Sequence, residues 1–156
     1  MATYEGGKTA PKGRFAIVAA RFNQNVVDPL VEGAKEAFKS QRVTEDSLDL
    51  IWVPGAFEIP LVAMRLAAST KYAAVVCLGA VIRGDTDHYE YIAGEAARGV
   101  MEAGLATGVP VIFGILTCAT EEQALDRAGG KEGNKGYDAA QAAIEMADLL
   151  QKISGK

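Results

Sequence analysis

Two kinds of hydrophobic pattern alternate along this chain. Phe15–Ala20, Ala73–Ile82 and Val111–Thr117 are apolar runs, and Leu48–Val53 is one interrupted by Asp49; all are too short for helices and lack the sustained alternation of a half-exposed strand. They predict strands covered on both faces. Between them the apolar positions recur at helical spacing. Val27–Ser40 carries Leu30, Val31, Ala34, Ala37 and Phe38, with Asp28 and Pro29 suited to its first turn. Phe57–Ser69 has a broad buried face, a third helix runs from near His88 to Gly104 or Ala106, and Tyr137–Ile153 closes the chain with Ala140, Ala143, Ile144, Ala147 and Leu150 on one stripe. Glu121–Ala128 predicts a short helix. Gly129–Gly136, with four glycines in eight residues, predicts no regular structure. Met1–Lys12 is polar and Gly-containing and reads as an arm that orders only against a neighbour.

Strand then helix, repeated four times, implies right-handed crossovers and a parallel sheet between two layers of helices. The expected fold is an α/β flavodoxin-like three-layer α/β/α sandwich on a four-stranded parallel sheet ordered 2-1-3-4. At 156 residues, 49% of them hydrophobic, one domain spanning residues 1–156 is expected, with the arm at 1–12. Such a small sheet leaves edges for a neighbour to cover.

Charge and cysteine usage narrow the function. A net charge of −4 argues against a general nucleic-acid or anionic-membrane binder, so an anionic small substrate requires a local cluster of cations. Cys77 and Cys118 lie within or at the end of apolar runs and read as reduced core residues, in no metal-ligand spacing. No run reaches membrane-spanning length and no signal-peptide pattern opens the chain. A cytoplasmic protein is expected, or a plastid one if a transit peptide has been removed.

Ligands of parallel α/β sheets bind outside the carboxyl ends of the strands. Three successive ends here carry chemistry. The first gives Arg21-Phe22-Asn23, where Phe22 reads either as a ring offered to a flat ligand or as a loop aromatic. The second gives Val53 to Glu58; Glu58 suits a helix dipole or a ligand equally well. The third turns at Gly84 through Asp85 and Thr86 to His88, the only histidine. Free N–H groups at a helix start attract anions, and an imidazole there is suited to moving protons near neutral pH. Asp85 beside an anion must turn its carboxylate away while its backbone binds. Arg127, Lys131 and Lys135 form a basic group in Gly-rich sequence, either a solvated loop or a phosphate clamp. Phe113, mid-strand, reads as a core ring, and it reaches the site only if a neighbouring subunit supplies it. No GxGxxG follows the first strand, which disfavours a nucleotide-dependent dehydrogenase.

Taken together, Arg21-Phe22-Asn23, Val53-Pro54-Gly55-Ala56-Phe57-Glu58, the stretch from Gly79 to His88, Phe113-Gly114-Ile115-Leu116-Thr117 and Asn134-Lys135-Gly136 resemble the motif set of the 6,7-dimethyl-8-ribityllumazine synthase family. The likeness runs in order from about Phe15 onward. The resemblance implies a transferase of riboflavin biosynthesis that condenses 5-amino-6-(D-ribitylamino)uracil with 3,4-dihydroxy-2-butanone 4-phosphate, releasing phosphate and water, with no cofactor and no metal. It implies that Phe22 stacks on the pyrimidine and that Ala56, Phe57, Glu58, Ala80, Val81 and Ile82 hold its edges and ribityl chain. Asp85 and Thr86 bind phosphate with Arg127, and His88 transfers protons. Phe113, Arg127 and Lys135 come from the adjacent subunit. The family often has a small residue where Asp85 stands. The implied partners are copies of the chain, as a homopentamer and an icosahedral shell of twelve pentamers, which the short Gly-Gly-Lys-Glu-Gly connection favours, together with riboflavin synthase. Two rivals share the architecture: a flavin- or lumazine-binding protein without catalysis, and a container built for encapsulation.

Overall fold

The computed structural model describes residues 1–155. Every apolar run forms a strand, and the lack of alternation has a direct cause. Phe15, Ile17 and Ala19 of β1 (Arg14–Ala20) enter one core with α1 (Gln24–Ser40) and α5 (Lys135–Ile153). Ala16, Val18 and Ala20 enter a second core on the opposite face, with α2 (Ile59–Ala68) and α3 (His88–Thr107). Both faces are covered, so both parities must be apolar. With β2 (Leu48–Val53), β3 (Tyr72–Ile82) and β4 (Val111–Cys118) the sheet has four parallel strands in the order β2-β1-β3-β4. This is the expected order of the three-layer sandwich. The central strands β1 and β3 are the most buried, and β2 and β4 are edges.

Two glycines allow helices to approach closely. A Cβ on Gly114 of β4 would stand 2.7 Å from Leu78 Cδ2, 2.8 Å from the Cys77 carbonyl oxygen and 3.1 Å from Ala139 Cβ. On Gly136 it would overlap the backbone of Leu30, and α1 and α5 form the most extensive helix pair in the molecule.

Local departures from the sequence reading have identifiable causes. α1 begins at Gln24, so Pro29 lies inside the helix rather than in its first turn. The second helix is entered through a 3-10 turn, Ala56–Glu58. α4 is confined to Glu121–Asp126, capped by the Thr120 hydroxyl, which accepts from the Gln123 N–H at 3.1 Å. The Gly-rich segment is not irregular: Ala128–Gly130 (β5) and Gly133–Asn134 (β6) pair antiparallel. Gly129 and Gly133, at φ +106° and +81°, supply the backbone such a tight hairpin needs. α5 then starts at Lys135, two residues before the expected position, because Asn134 caps it: its Oδ1 accepts from the N–H groups of Gly136 at 2.8 Å and Tyr137 at 3.1 Å.

The arm also differs from expectation. It rests on the chain's own α5, where the Gly7 N–H donates to Asp148 Oδ2 at 2.7 Å and Lys152 Nζ donates to the Glu5 carbonyl at 3.0 Å. Lys152, and then the Gly7 N–H, hold the Asp148 carboxyl below its usual range.

Candidate active site

Because the sheet is parallel, β1, β2 and β3 deliver their following loops to one rim. The loops after β1 and β2 are joined: the Arg21 N–H donates to the Val53 carbonyl at 2.8 Å and the Phe22 N–H to the Pro54 carbonyl at 3.0 Å. Phe22 is left 72% exposed, which excludes a core role. The 3-10 turn after Gly55 buries Ala56 and exposes Phe57 and Glu58. Gly55 keeps the turn open beneath the carboxylate, since a Cβ there would lie 3.2 Å from Glu58 Oε1.

Beyond β3 the chain leaves the sheet at Arg83, whose N–H donates to the Cys118 carbonyl at 2.9 Å. It then turns through Gly84, Asp85 and Thr86 and enters α3 at His88. The His88 N–H donates to Thr86 Oγ1 at 3.3 Å, while the side chain of Asp87, the residue before the helix, caps nothing. The Glu90 N–H is taken by the Asp87 carbonyl at 3.0 Å, and the exposed turn Gly84–Thr86 lies just before the positive end of the helix, where anions are attracted. The Arg83 guanidinium lies 5.8 Å from the centre of the Tyr89 ring, so the two ends of the turn are in cation–π contact.

These loops enclose a cleft of about 380 Å³, the scale of small-molecule sites. It is lined by Phe22, Asn23, Gly55, Ala56, Phe57, Glu58, Ala80, Val81, Ile82, Gly84, Thr86, His88, Tyr89 and Ile92. An exposed ring, a carboxylate, a Gly-containing turn with a hydroxyl and an imidazole thus line one cleft. Asp85 is exposed and does not line the cleft, although its neighbours Gly84 and Thr86 do. Asn23, Tyr89 and Ile92 were not singled out from sequence. Ile92 had a signal, standing four residues after His88 on the same helical face; Tyr89 had none.

Phe113, Arg127 and Lys135 are elsewhere. They line a separate hollow of about 370 Å³ on the outer side of β4, with Gly114, Thr117, Cys118 and Asp138. Phe113 is 46% exposed, so the core reading of its ring is excluded; it sits on β4, an edge strand that pairs only with β3 among the described residues. The hairpin sets the two cations: the Lys135 N–H donates to the Arg127 carbonyl at 2.8 Å, and Arg127 Nη1 donates to the Gln123 carbonyl at 3.0 Å. Lys135 Nζ lies 3.8 Å from Asp138 Oδ2, and Lys131 turns instead to Asp126 at 3.6 Å. Burial raises the Cys118 thiol, against a smaller opposing pull from the Arg127 charge. No residue lines both hollows. The two hollows are therefore separate within one chain.

The family model described as 6,7-dimethyl-8-ribityllumazine synthase matches residues 12–151, which include every residue of both hollows. The chain belongs to the 6,7-dimethyl-8-ribityllumazine synthase family. Relatives named 6,7-dimethyl-8-ribityllumazine synthase from two strains of Clostridium kluyveri are each 50% identical over 153 residues, covering 98% of this chain and 99% of theirs. A crystal structure of a GDP-L-fucose synthetase from Naegleria fowleri bound to NADP covers 99% of this chain and 49% of its own, at TM-score 0.41 and 13% identity, a likeness too weak to bear on this one. As a lumazine synthase family member, the chain is an enzyme of riboflavin biosynthesis.

Proposed function

We propose that the chain condenses 5-amino-6-(D-ribitylamino)uracil with 3,4-dihydroxy-2-butanone 4-phosphate to give 6,7-dimethyl-8-ribityllumazine, phosphate and water, in a crevice built from the two different half-sites of adjacent copies. The observation that carries this reading is the meeting of Phe22, Glu58, Thr86 and His88 around one cleft in a chain of this family.

The pyrimidine stacks on the exposed ring of Phe22. Backbone groups of Ala56, Phe57, Ala80, Val81 and Ile82 meet its polar edges, and Glu58 accepts from ribityl hydroxyls. The phosphate sits before the start of α3, with N–H groups from Gly84 to Thr86 and the Thr86 hydroxyl; Asp85 contributes through its backbone. Arg127 of the adjacent copy supplies a bidentate guanidinium fork, Lys135 adds a second cation and Phe113 closes the far side. An amine then attacks the ketone, water leaves the carbinolamine, phosphate is eliminated, and the second amine adds to the remaining carbonyl and loses a second water as the ring closes. Each step moves a proton at nitrogen, oxygen or carbon, which is work suited to His88. Alignment of two substrates in one crevice removes up to roughly 7–11 kcal/mol of barrier for ideal geometry.

A closed ring suits this arrangement, because a head-to-tail contact joins unlike surfaces and leaves none over. A pentamer, and twelve pentamers in a shell, is the assembly proposed, in the cytoplasm and with riboflavin synthase as a companion. The open edge strands β2 and β4 support an oligomer, and no described helix is long and apolar enough to cross a membrane. Mixing both substrates with purified protein and following lumazine absorbance tests the reaction. Tight flavin binding without product from correctly assembled protein would replace it with the non-catalytic reading.

A further inference from the structure

Asn23 breaks a local rule. An asparagine before a helix ordinarily adopts extended backbone and accepts a hydrogen bond from the first turn. Here Asn23 precedes α1 with φ 63° and ψ 43°, in the left-handed region, and its side chain caps nothing. Its Nδ2 instead donates to the Ala80 carbonyl at 2.8 Å, linking residues 57 apart. Its own carbonyl accepts from the Val26 and Val27 N–H groups at 2.9 and 3.1 Å, so the helix start is held by backbone alone. The left-handed conformation costs a non-glycine residue of order ~1–2 kcal/mol. Asparagine tolerates it best among residues with side chains, and the amide is spent across the cleft floor.

Resting on the reaction proposed above, we propose that Asn23 is a positioning residue for the uracil substrate. Its amide ties the end of β1 to the end of β3 and fixes the approach of the neighbouring Phe22 ring to the Ala80–Ile82 edge. The Phe22 backbone is already held from the other side by the Pro54 carbonyl at 3.0 Å. The ring is thus exposed in its face and held at its root on both flanks. Removing the amide frees one flank and leaves the chain path intact, provided the replacement accepts positive φ.

Asn23→Gly meets that condition, since glycine adopts positive φ without steric cost. Asn23→Asp keeps the shape but sets an oxygen against the Ala80 carbonyl. Both are compared with the parent and in a Phe22→Ala background, with each substrate varied in turn and thermal unfolding followed alongside. For Asn23→Gly the expected result is an unchanged Tm, a KM for the ribitylaminouracil raised about three- to tenfold, the scale of one hydrogen bond, and a KM for the butanone phosphate changed less than twofold. Asn23→Asp raises the uracil KM further. In the Phe22→Ala background neither substitution changes it more than twofold, because the ring through which Asn23 acts is gone. Parental uracil KM in both variants, or an equal rise with and without Phe22, overturns the proposal. If Asn23→Gly fails to fold, Asn23→Asp decides. Calorimetric titration with the ribitylaminouracil alone reads the same shift in Kd without turnover, so a protein that binds the pyrimidine but makes no lumazine refutes the reaction and not this inference.

Discussion

Two impaired variants should restore each other if each crevice joins unlike halves of neighbouring chains. His88 lines one hollow, Arg127 lines the other, and the two share no residue. His88→Ala removes acid–base help worth about 10²–10⁴-fold. Arg127→Ala removes charge-assisted hydrogen bonds of about 1.5–3 kcal/mol each, leaving roughly a tenth or less of the rate at subsaturating butanone phosphate. In rings reassembled from equal amounts, each crevice draws its halves independently from two chains. About a quarter then carry two intact halves, a quarter carry two damaged ones, and the rest carry one of each. The mixture should recover about a quarter of the parental rate, severalfold above the mean of the separate variants. The assay is lumazine formation after the variants are dissociated, mixed and reassembled, with each variant carried alone through the same cycle. A mixture that works only at the mean of its components would place the whole site within one chain and refute the shared crevice.

Further outcomes test other links. His88→Ala should lower kcat within the same range without abolishing product, because alignment acts independently of proton transfer; a fall to the uncatalysed rate in assembled protein would contradict this. Gly114→Ala should destabilise by about 1–3 kcal/mol through overpacking, since its Cβ meets the Cys77 carbonyl at 2.8 Å. For a chain of this size Tm should fall by roughly 2–4 °C per kcal/mol, and calorimetric unfolding reads it. Burial pushes the Cys77 thiol up to about 12. The unfolded chain therefore loses this proton first as pH rises above the ordinary thiol range. The resulting stability is complete below that range and is lost towards about 12, with a slope of up to about 1.4 kcal/mol per pH unit. Denaturant titrations of the parent and Cys77→Ala across that window should diverge in slope; parallel curves would show that the thiol is not shielded.

The layers and the strand order were legible because doubly covered strands cannot alternate, and Phe15–Ala20 and Ala73–Ile82 left little choice of period. Glu58, Thr86 and His88 were legible because parallel strands deliver their loops to one rim. Phe113 was misread as a core ring when taken by itself: strand periodicity reports that a residue is apolar, not whether a second chain covers it. The hairpin at Ala128–Asn134 was missed because glycine clusters signal loss of regular structure and also supply the positive φ a tight hairpin requires. Asn23 stood in a quoted motif, but its amide is spent on Ala80, a partner no local rule points to. The arm's contacts with α5 span more than 140 positions and left no pattern in the arm itself.

Asn134 does more than start a helix. Its Nδ2 donates to the Pro29 carbonyl at 3.0 Å, and Gly33 on the next turn leaves room for its amide. The residue beside Lys135 is thus riveted to α1, the same rod that begins just after Phe22 and Asn23. If the crevice is shared as proposed, each copy is floor for one reaction and wall for the next, with both duties hung on a single stiff beam. A heritable change that tilts that beam would retune two crevices at once, so improvement at one of them is never independent of the other.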